Sequence, residues 1–286
     1  MKRLHTFGCS ITQGFALPDV VKPVCNDEGE PLTHKEMEAL GDNFNWNNVH
    51  LYQPSEYAWP KILADKLDVP VINHARRGAC FNQISRQCAV GSKDIKPGDI
   101  VIVMWTYLSR LSLQWPARTT VPFCNVPDPK SNWQTIIIGF NKFFGLSPSD
   151  NNTDDTDEHI RNWIHDSVRH TYLDYLSVYD RYYNSLVLQQ MTDGFLKATG
   201  ANVLHLSVEI DSVEQQLEQV RQELPESLKD PYSIPDPTEW YSVEVDYSCT
   251  PVIFDSKIPL ADNDMHPSVK HHKKFADYVY NHYFEN

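Results

Sequence analysis

Short apolar runs alternate along this chain with polar stretches and with segments of helical spacing, the pattern of strands and helices taking turns. Leu4, Thr6 and Phe7 read as a first strand that stops at Gly8. A helix is expected from Ser55, with Ser55 as its N-cap, Pro60 confined to the first turn, and Trp59, Ile62, Leu63 and Leu67 on one face. Residues 69–73 predict a second strand, and about 79–90 the helix that follows it. The clearest buried strand is 99–104: Pro97 and Gly98 make the turn into it, and Ile100 to Met104 is continuously apolar, as a central strand covered on both faces requires. Helical spacing then runs from 158 to 197. A fourth strand is expected at 202–207, an acidic amphipathic segment at 211–228, and a fifth strand at 252–254. A closing helix from Pro267 carries Phe275, Val279 and Phe284, with Lys270, His271, His272, Lys273 and Lys274 assigned to its outer side. Such alternation predicts an α/β three-layer sandwich around a central, mostly parallel sheet.

Between these elements the periodicity fades. Residues 15–53 are rich in Pro, Asn, Asp and Glu, and residues 109–156 and 209–250 are interrupted by prolines, so all three read as insertions into a single domain spanning 1–286. Insertions after the strands of such a sheet shape its pocket. Phe44, Trp46 and Tyr52 either stack on a sugar ring or, as expected, pack the first of them, and the apolar patch from Trp133 to Phe144 is expected to pack the second over the top edge of the sheet. The acidic run from Asp150 to Glu158 lacks the glycine and glutamate of an EF-hand and reads as a solvated helix start. His159, His165 and His170 lack the spacing that would set two imidazoles on one helix face as metal ligands.

With 286 residues and 41% of them hydrophobic, the chain can bury one large core. A formal net charge of −13 argues against nucleic acid or an anionic membrane as a partner, because phosphate contacts need clustered Lys and Arg. No stretch approaches the roughly 20 apolar residues of a membrane span. The six cysteines show no metal-ligand spacing, and no apolar leader follows Lys2 and Arg3, so reduced thiols and a cytoplasmic location are expected. No cofactor is called for: a phosphate-binding loop would need lysine after its last glycine, where Gly14 is followed by Phe15, and no GxSxG elbow occurs.

One serine stands where chemistry is done in such a sheet, just beyond the carboxyl end of its first strand. Ser10 follows Gly8 and Cys9, and Gly14 lets the chain leave again. A serine hydroxyl needs a base to take its proton. His266, ahead of Pro267 and Ser268 at the start of the closing helix, is the candidate, with Asp264 and then Asp262 as the carboxylates to orient it. Beyond the central strand, Thr106, Tyr107 and Arg110 are expected to face the same crevice.

Serine at the first strand and histidine before the last helix resembles the SGNH (GDSL-type) hydrolase family, whose blocks here read Gly8, Cys9, Ser10 at one end and Asp264, Met265, His266, Pro267 at the other. The glycine of the family's second block is matched by Gly78, within Asn73, His74, Ala75, Arg76, Arg77, Gly78. The third block, GxND, is absent: Trp105, Thr106, Tyr107 and Leu108 stand there instead, leaving Thr106 or a nearby N–H as the replacement. Asn263 occupies the position three before His266 where the family has its aspartate. The resemblance implies a flavodoxin-like sheet and a serine esterase. In it Ser10 is the nucleophile and His266 the base, and backbone N–H groups of Ser10 and Gly78 hold the oxyanion. The implied substrate is a small-molecule or glycan ester, such as a carbohydrate O-acetyl ester. The alternative is a catalytically silent domain of the same fold that binds a glycan or a protein.

Overall fold

The computed structural model describes residues 1–20, 53–107, 110–114, 133–138, 143–144, 178–208, 243–246, 248–261 and 266–285. In chain order, strand β1 (Leu4–Phe7) leads into a single helical turn, α1 (Ser10–Gln13). Helix α2 (Trp59–Leu67), strand β2 (Val71–Asn73), helix α3 (Phe81–Gly91) and strand β3 (Ile100–Trp105) follow. Strands β4 (Arg110–Gln114), β5 (Trp133–Ile138) and β6 (Phe143–Phe144) come next, then helix α4 (Val178–Lys197) and strand β7 (Asn202–Ser207). Strand β8 (Val245–Asp246), the short helix α5 (Thr250–Ile253) and helix α6 (Val269–Tyr283) complete the order.

β1 and β3 are buried at every position; β3 is apolar throughout, as a strand covered on both faces requires, whereas β1 also buries the polar His5 and Thr6. They lie at the centre of a five-stranded sheet ordered β2-β1-β3-β7-β8, every pairing parallel. Counting only the strands of this sheet, that is the 2-1-3-4-5 order of the doubly wound flavodoxin-like fold. From β1 the chain crosses one way to β2 and then back past β1 to β3. Right-handed crossovers in opposite directions put α2 and α3 on opposite faces. Helix α6 packs beside α2, and α4 beside α3. The crevice opens where the crossovers diverge, beyond the carboxyl ends of β1 and β3.

Two close approaches fix the layers. Phe7 meets α3 at Gly91, where an added Cβ would come within 2.8 Å of the Phe7 ring. On the other face Trp59 of α2 stands edge-on to Phe275 of α6, their ring centroids 5.3 Å apart.

Several expectations change. Ser55 does not cap α2, which begins at Trp59 after Ala58. Its hydroxyl instead donates to Asp19 at 2.5 Å and accepts from the Tyr57 N–H at 3.0 Å, closing a turn ahead of the helix. Residues 252–254 are not a strand. Pro251 sits in the first turn of α5, and the fifth strand is β8, earlier in the chain. The patch from Trp133 to Phe144 contributes β5 and β6 to a separate three-stranded antiparallel sheet, ordered β4-β5-β6.

His271 and His272 are fully buried instead of lying on the outer side of α6. Successive helical residues are about 100° apart, so two neighbours fit within one buried half while Lys273 and Lys274 stay outside. His271 Nδ1 accepts from the Ser268 N–H at 3.1 Å and its Nε2 reaches the Asp255 carbonyl at 3.0 Å, a capping arrangement in which imidazole replaces the usual glutamate. His272 Nδ1 accepts the N–H of Trp59 at 3.2 Å, satisfying one of the donors that a helix start leaves open. The expected helical stretches at 158–177 and 211–228, the aromatics of the first insertion and His159, His165 and His170 lie outside the described residues.

Among the described residues no helix is long and apolar enough to cross a membrane. Cys9, Cys80, Cys88 and Cys249 are buried free thiols.

Candidate active site

The turn that carries Ser10 is held from within and from below. Gly14 adopts φ +79, the left-handed conformation glycine takes without strain, and its N–H returns to the Ser10 carbonyl at 3.0 Å. The Phe15 N–H reaches the same carbonyl at 2.9 Å. From beneath, Thr12 donates its hydroxyl to the Met104 sulfur at 3.2 Å. Ser10 is thereby set at the head of a helical turn on the end of β1, its side chain buried.

The loop after β2 is stitched to this turn along its length. His74 N–H meets the Thr6 carbonyl at 2.8 Å, Arg76 N–H the Gly8 carbonyl at 3.1 Å, and Arg77 N–H the Gln13 side-chain oxygen at 2.8 Å. Asn73 closes the set, its amide donating to the Thr12 carbonyl at 2.8 Å while its oxygen accepts from the Ala75 N–H at 3.0 Å. Gly78 follows at φ +70, where an added Cβ would meet nothing within 4 Å among the described residues.

From the far end of the chain comes His266. Its carbonyl accepts the Ala261 N–H at 3.0 Å, and the Ser268 cap of α6 fixes the chain behind it. Its Nε2 lies 2.9 Å from the Ser10 Oγ, across 256 positions of sequence. A serine beyond the first strand and a histidine before the last helix thus meet at the switch point of a 2-1-3-4-5 parallel sheet. The fold is a flavodoxin-like α/β sandwich.

No family model matches the sequence, and no curated protein does. Among solved structures, the chain is similar to a G-D-S-L family protein from Desulfitobacterium hafniense DCB-2, at 9% identity over 98% of this chain and 99% of that one, with a TM-score of 0.43. It is also similar to an acetyl xylan esterase from the rumen bacterium Butyrivibrio proteoclasticus, at 11% identity over 98% of this chain and 64% of that one, with a TM-score of 0.37.

Of the remaining expected residues, Asp264 and Asp262 lie outside the described residues. Thr106 is fully buried just past β3, where the SGNH asparagine would stand, and its hydroxyl has no hydrogen-bond partner among the described residues. Tyr107 packs against the core, and Arg110 falls in β4, its side chain outside the described residues.

Three features of the site were not legible as such. Phe15 borders His266, with ring centroids 4.9 Å apart at a tilt of 58°, and the Arg77 guanidinium lies over the same phenyl ring at 5.3 Å. Gln13 holds the Arg77 N–H one residue before Gly78. Trp105 heads a buried polar chain: its indole N–H donates to His205 Nδ1 at 3.0 Å, and His205 Nε2 lies 3.1 Å from Asp193. An indole nitrogen only donates, so the proton of a neutral His205 sits on Nε2, aimed at the carboxylate. Burial alone would raise the Asp193 carboxyl, but the bonds from His205 and Lys197 hold it below the ordinary range. Trp105 in turn stacks on Phe81, the first residue of α3, at 5.1 Å and 12°. The signal for these contacts was thin, since they join residues far apart in sequence.

His272 also lies near His266. Burial first, and then the neighbouring His266 and His271, push it down to about 3, so it stays neutral beside the candidate base.

Proposed function

We propose that the protein is a serine esterase that transfers an acyl group from a small-molecule or glycan ester to water, a carbohydrate O-acetyl ester being the class in view. The observation that carries this reading is the 2.9 Å approach of His266 Nε2 to Ser10 Oγ. That is hydrogen-bonding range for a base and the proton it must take.

In the reaction His266 accepts the Ser10 proton at Nε2 as Oγ attacks the ester carbonyl. The tetrahedral oxyanion is held by the backbone N–H groups of Ser10 and Gly78, the first left open by the start of α1 and the second on an uncrowded left-handed turn. His266 then gives the proton to the departing alkoxide. Water, deprotonated by the same imidazole, attacks the acyl-serine, and Ser10 leaves with the proton. Asp264, with Asp262 as second choice, orients the imidazole, and Thr106 supplies a hydroxyl where SGNH enzymes use asparagine.

Ser10→Ala and His266→Ala are each expected to lower hydrolysis of p-nitrophenyl acetate by about a thousandfold or more with the circular dichroism spectrum unchanged. A fluorophosphonate probe should add its mass once to the native chain and not to Ser10→Ala. Equal turnover by native protein and Ser10→Ala would overturn the proposal.

A second reading, a silent binding domain on the same fold, is favoured by one observation, the Trp105-Thr106 pair in place of the asparagine. A native chain that folds, takes no fluorophosphonate and hydrolyses nothing would support it.

A further inference from the structure

We infer that His205 is a positioning residue for the oxyanion side of the site, acting through Trp105 on the Thr106 hydroxyl. The inference deepens the esterase reading and rests on it for its kinetic arm.

The ladder of β3 ends at Trp105, which lies opposite Ser207 of β7, and Thr106 is the next residue along the chain. How Thr106 leaves the sheet therefore depends on how Trp105 is held. The Val208 N–H donates to the Trp105 carbonyl at 3.1 Å, the indole stacks on Phe81 at 5.1 Å and 12°, and the indole N–H donates to His205 Nδ1 at 3.0 Å. The indole and imidazole planes differ by 10° with centroids 6.0 Å apart, as a bond in the plane of both rings requires. His205 is oriented in turn. Its Nε2 lies 3.1 Å from Asp193 Oδ1, and Asp193 Oδ2 takes the Lys197 ammonium at 2.9 Å.

Packing alone does not account for this array. His205 is 3% exposed and Asp193 7%, and His205 stands between Leu204 and Leu206 of β7 and opposite Val103 of β3. Each buried polar group gives up water and regains only what its partners return, and replacing such an array by apolar side chains of similar volume is often neutral or stabilising. What the array supplies is direction, since a hydrogen-bonded chain allows one arrangement where packed hydrocarbon allows several. That direction passes through Trp105 to Thr106, which is fully buried with a hydroxyl that has no hydrogen-bond partner among the described residues. A donor to a developing oxyanion is effective only when it is aimed before the charge appears.

The test uses the full chain, native and with His205→Leu, His205→Gln or Trp105→Phe. With p-nitrophenyl acetate, His205→Leu is expected to lower kcat by about tenfold with KM within about twofold, the split left by losing an interaction made only in the transition state. His205→Gln, whose amide accepts at one atom and donates at the other, restores most of kcat. In a Thr106→Val background, His205→Leu lowers kcat by less than about a further twofold, because the group it positions is already gone. In protein carrying 13C-methyl threonine, the Thr106 methyl resonance, identified by its loss in Thr106→Val, shifts in His205→Leu and returns in His205→Gln. Trp105→Phe keeps a ring against Phe81 without the N–H; it gives the same loss in kcat and is read in place of His205→Leu where that chain does not fold. A folded His205→Leu or Trp105→Phe with native kcat, losses that simply multiply in the double variant, or an unmoved Thr106 methyl resonance in His205→Leu overturns the inference. The resonance is read without turnover, so a native chain that proves inactive removes the esterase reading while the resonance still decides whether His205 sets Thr106.

Discussion

Two buried threonines set a comparison at the scale of single residues. Thr6, inside β1, and Thr106, just past β3, are both fully buried, and neither hydroxyl has a hydrogen-bond partner among the described residues. An orphaned buried hydroxyl costs about 1–3 kcal/mol, and replacing it by a methyl group of the same shape removes that cost. Thr6→Val and Thr106→Val are therefore both expected to raise the free energy of unfolding by about 1 kcal/mol, seen as a higher urea midpoint at unchanged slope. They should part in activity. Thr6 lies within the sheet and its variant keeps native kcat. In the proposed esterase Thr106 supplies the hydroxyl in place of the asparagine, and its variant should lose about tenfold or more. A Thr106→Val protein that is stabilised and fully active would make that hydroxyl a packing atom and leave the oxyanion to the backbone N–H groups. A polar group kept unsatisfied in a core is the kind of local inconsistency that function explains.

At the scale of elements, what could be read from the chain divides according to where the information lies. β3 falls close to its expected bounds because a continuous apolar run has few other uses, and β1 and β7 do so although His5 and Thr6 interrupt the first and His205 the second. β8 escaped notice because it is two residues long, half-buried and at the edge of the sheet. The apolar run at 252–254 drew the assignment instead, yet those residues lie at the helical segment α5, anchored by Thr250 Oγ donating to the Ser207 carbonyl at 2.9 Å. At the site, Ser10 and His266 stood out by their neighbours in sequence, whereas Phe15, Gln13 and His272 take their roles from partners that only folding supplies. The turn around Gly14 belongs to both kinds: the glycine was visible, its necessity was not. Gly14→Ala meets a left-handed φ and two Cβ atoms at 2.7 Å, and is expected to cost about 2–4 kcal/mol of stability. Gly78→Ala meets the same backbone penalty with nothing within 4 Å among the described residues, and should cost only about 1–2 kcal/mol. Denaturant midpoints of the two variants check the order. A Gly78→Ala chain no more stable than Gly14→Ala would mean that the second loop is packed more tightly than its open surroundings indicate.

At the scale of the whole molecule, the buried histidines tie stability to pH. His74 is stacked on Phe7 at 4.5 Å, and burial first, then the charge of His5, pushes it down to about 4 from 6.5. His272 is pushed down to about 3 by burial, then by His266 and His271. In the unfolded chain these imidazoles take up protons below about 6.5, while in the fold they do not until the pH is far lower. Between those limits the unfolded state binds more protons, so stability increases with pH and is lost as the pH falls. The loss should begin near pH 6.5 and continue to about 4 for His74 and about 3 for His272, where the carboxylates join. Asp99 and Asp246 follow in a lower window: burial would raise them, but bonds from Lys96 and Arg3 to the first, and from Ser248 and Tyr283 to the second, hold both below 3.8. Their contribution is present above that value and disappears as the pH falls through the folded range. Urea midpoints measured from pH 8 to 3 should therefore be level at the alkaline end and decline in two stages. His74→Gln removes one of the titrating groups and should flatten the first stage while leaving the second in place. A midpoint that held constant from pH 6.5 to 4 in the native chain would mean that both rings take up protons within the fold, and that burial at the foot of β2 and along α6 does not exclude the charge.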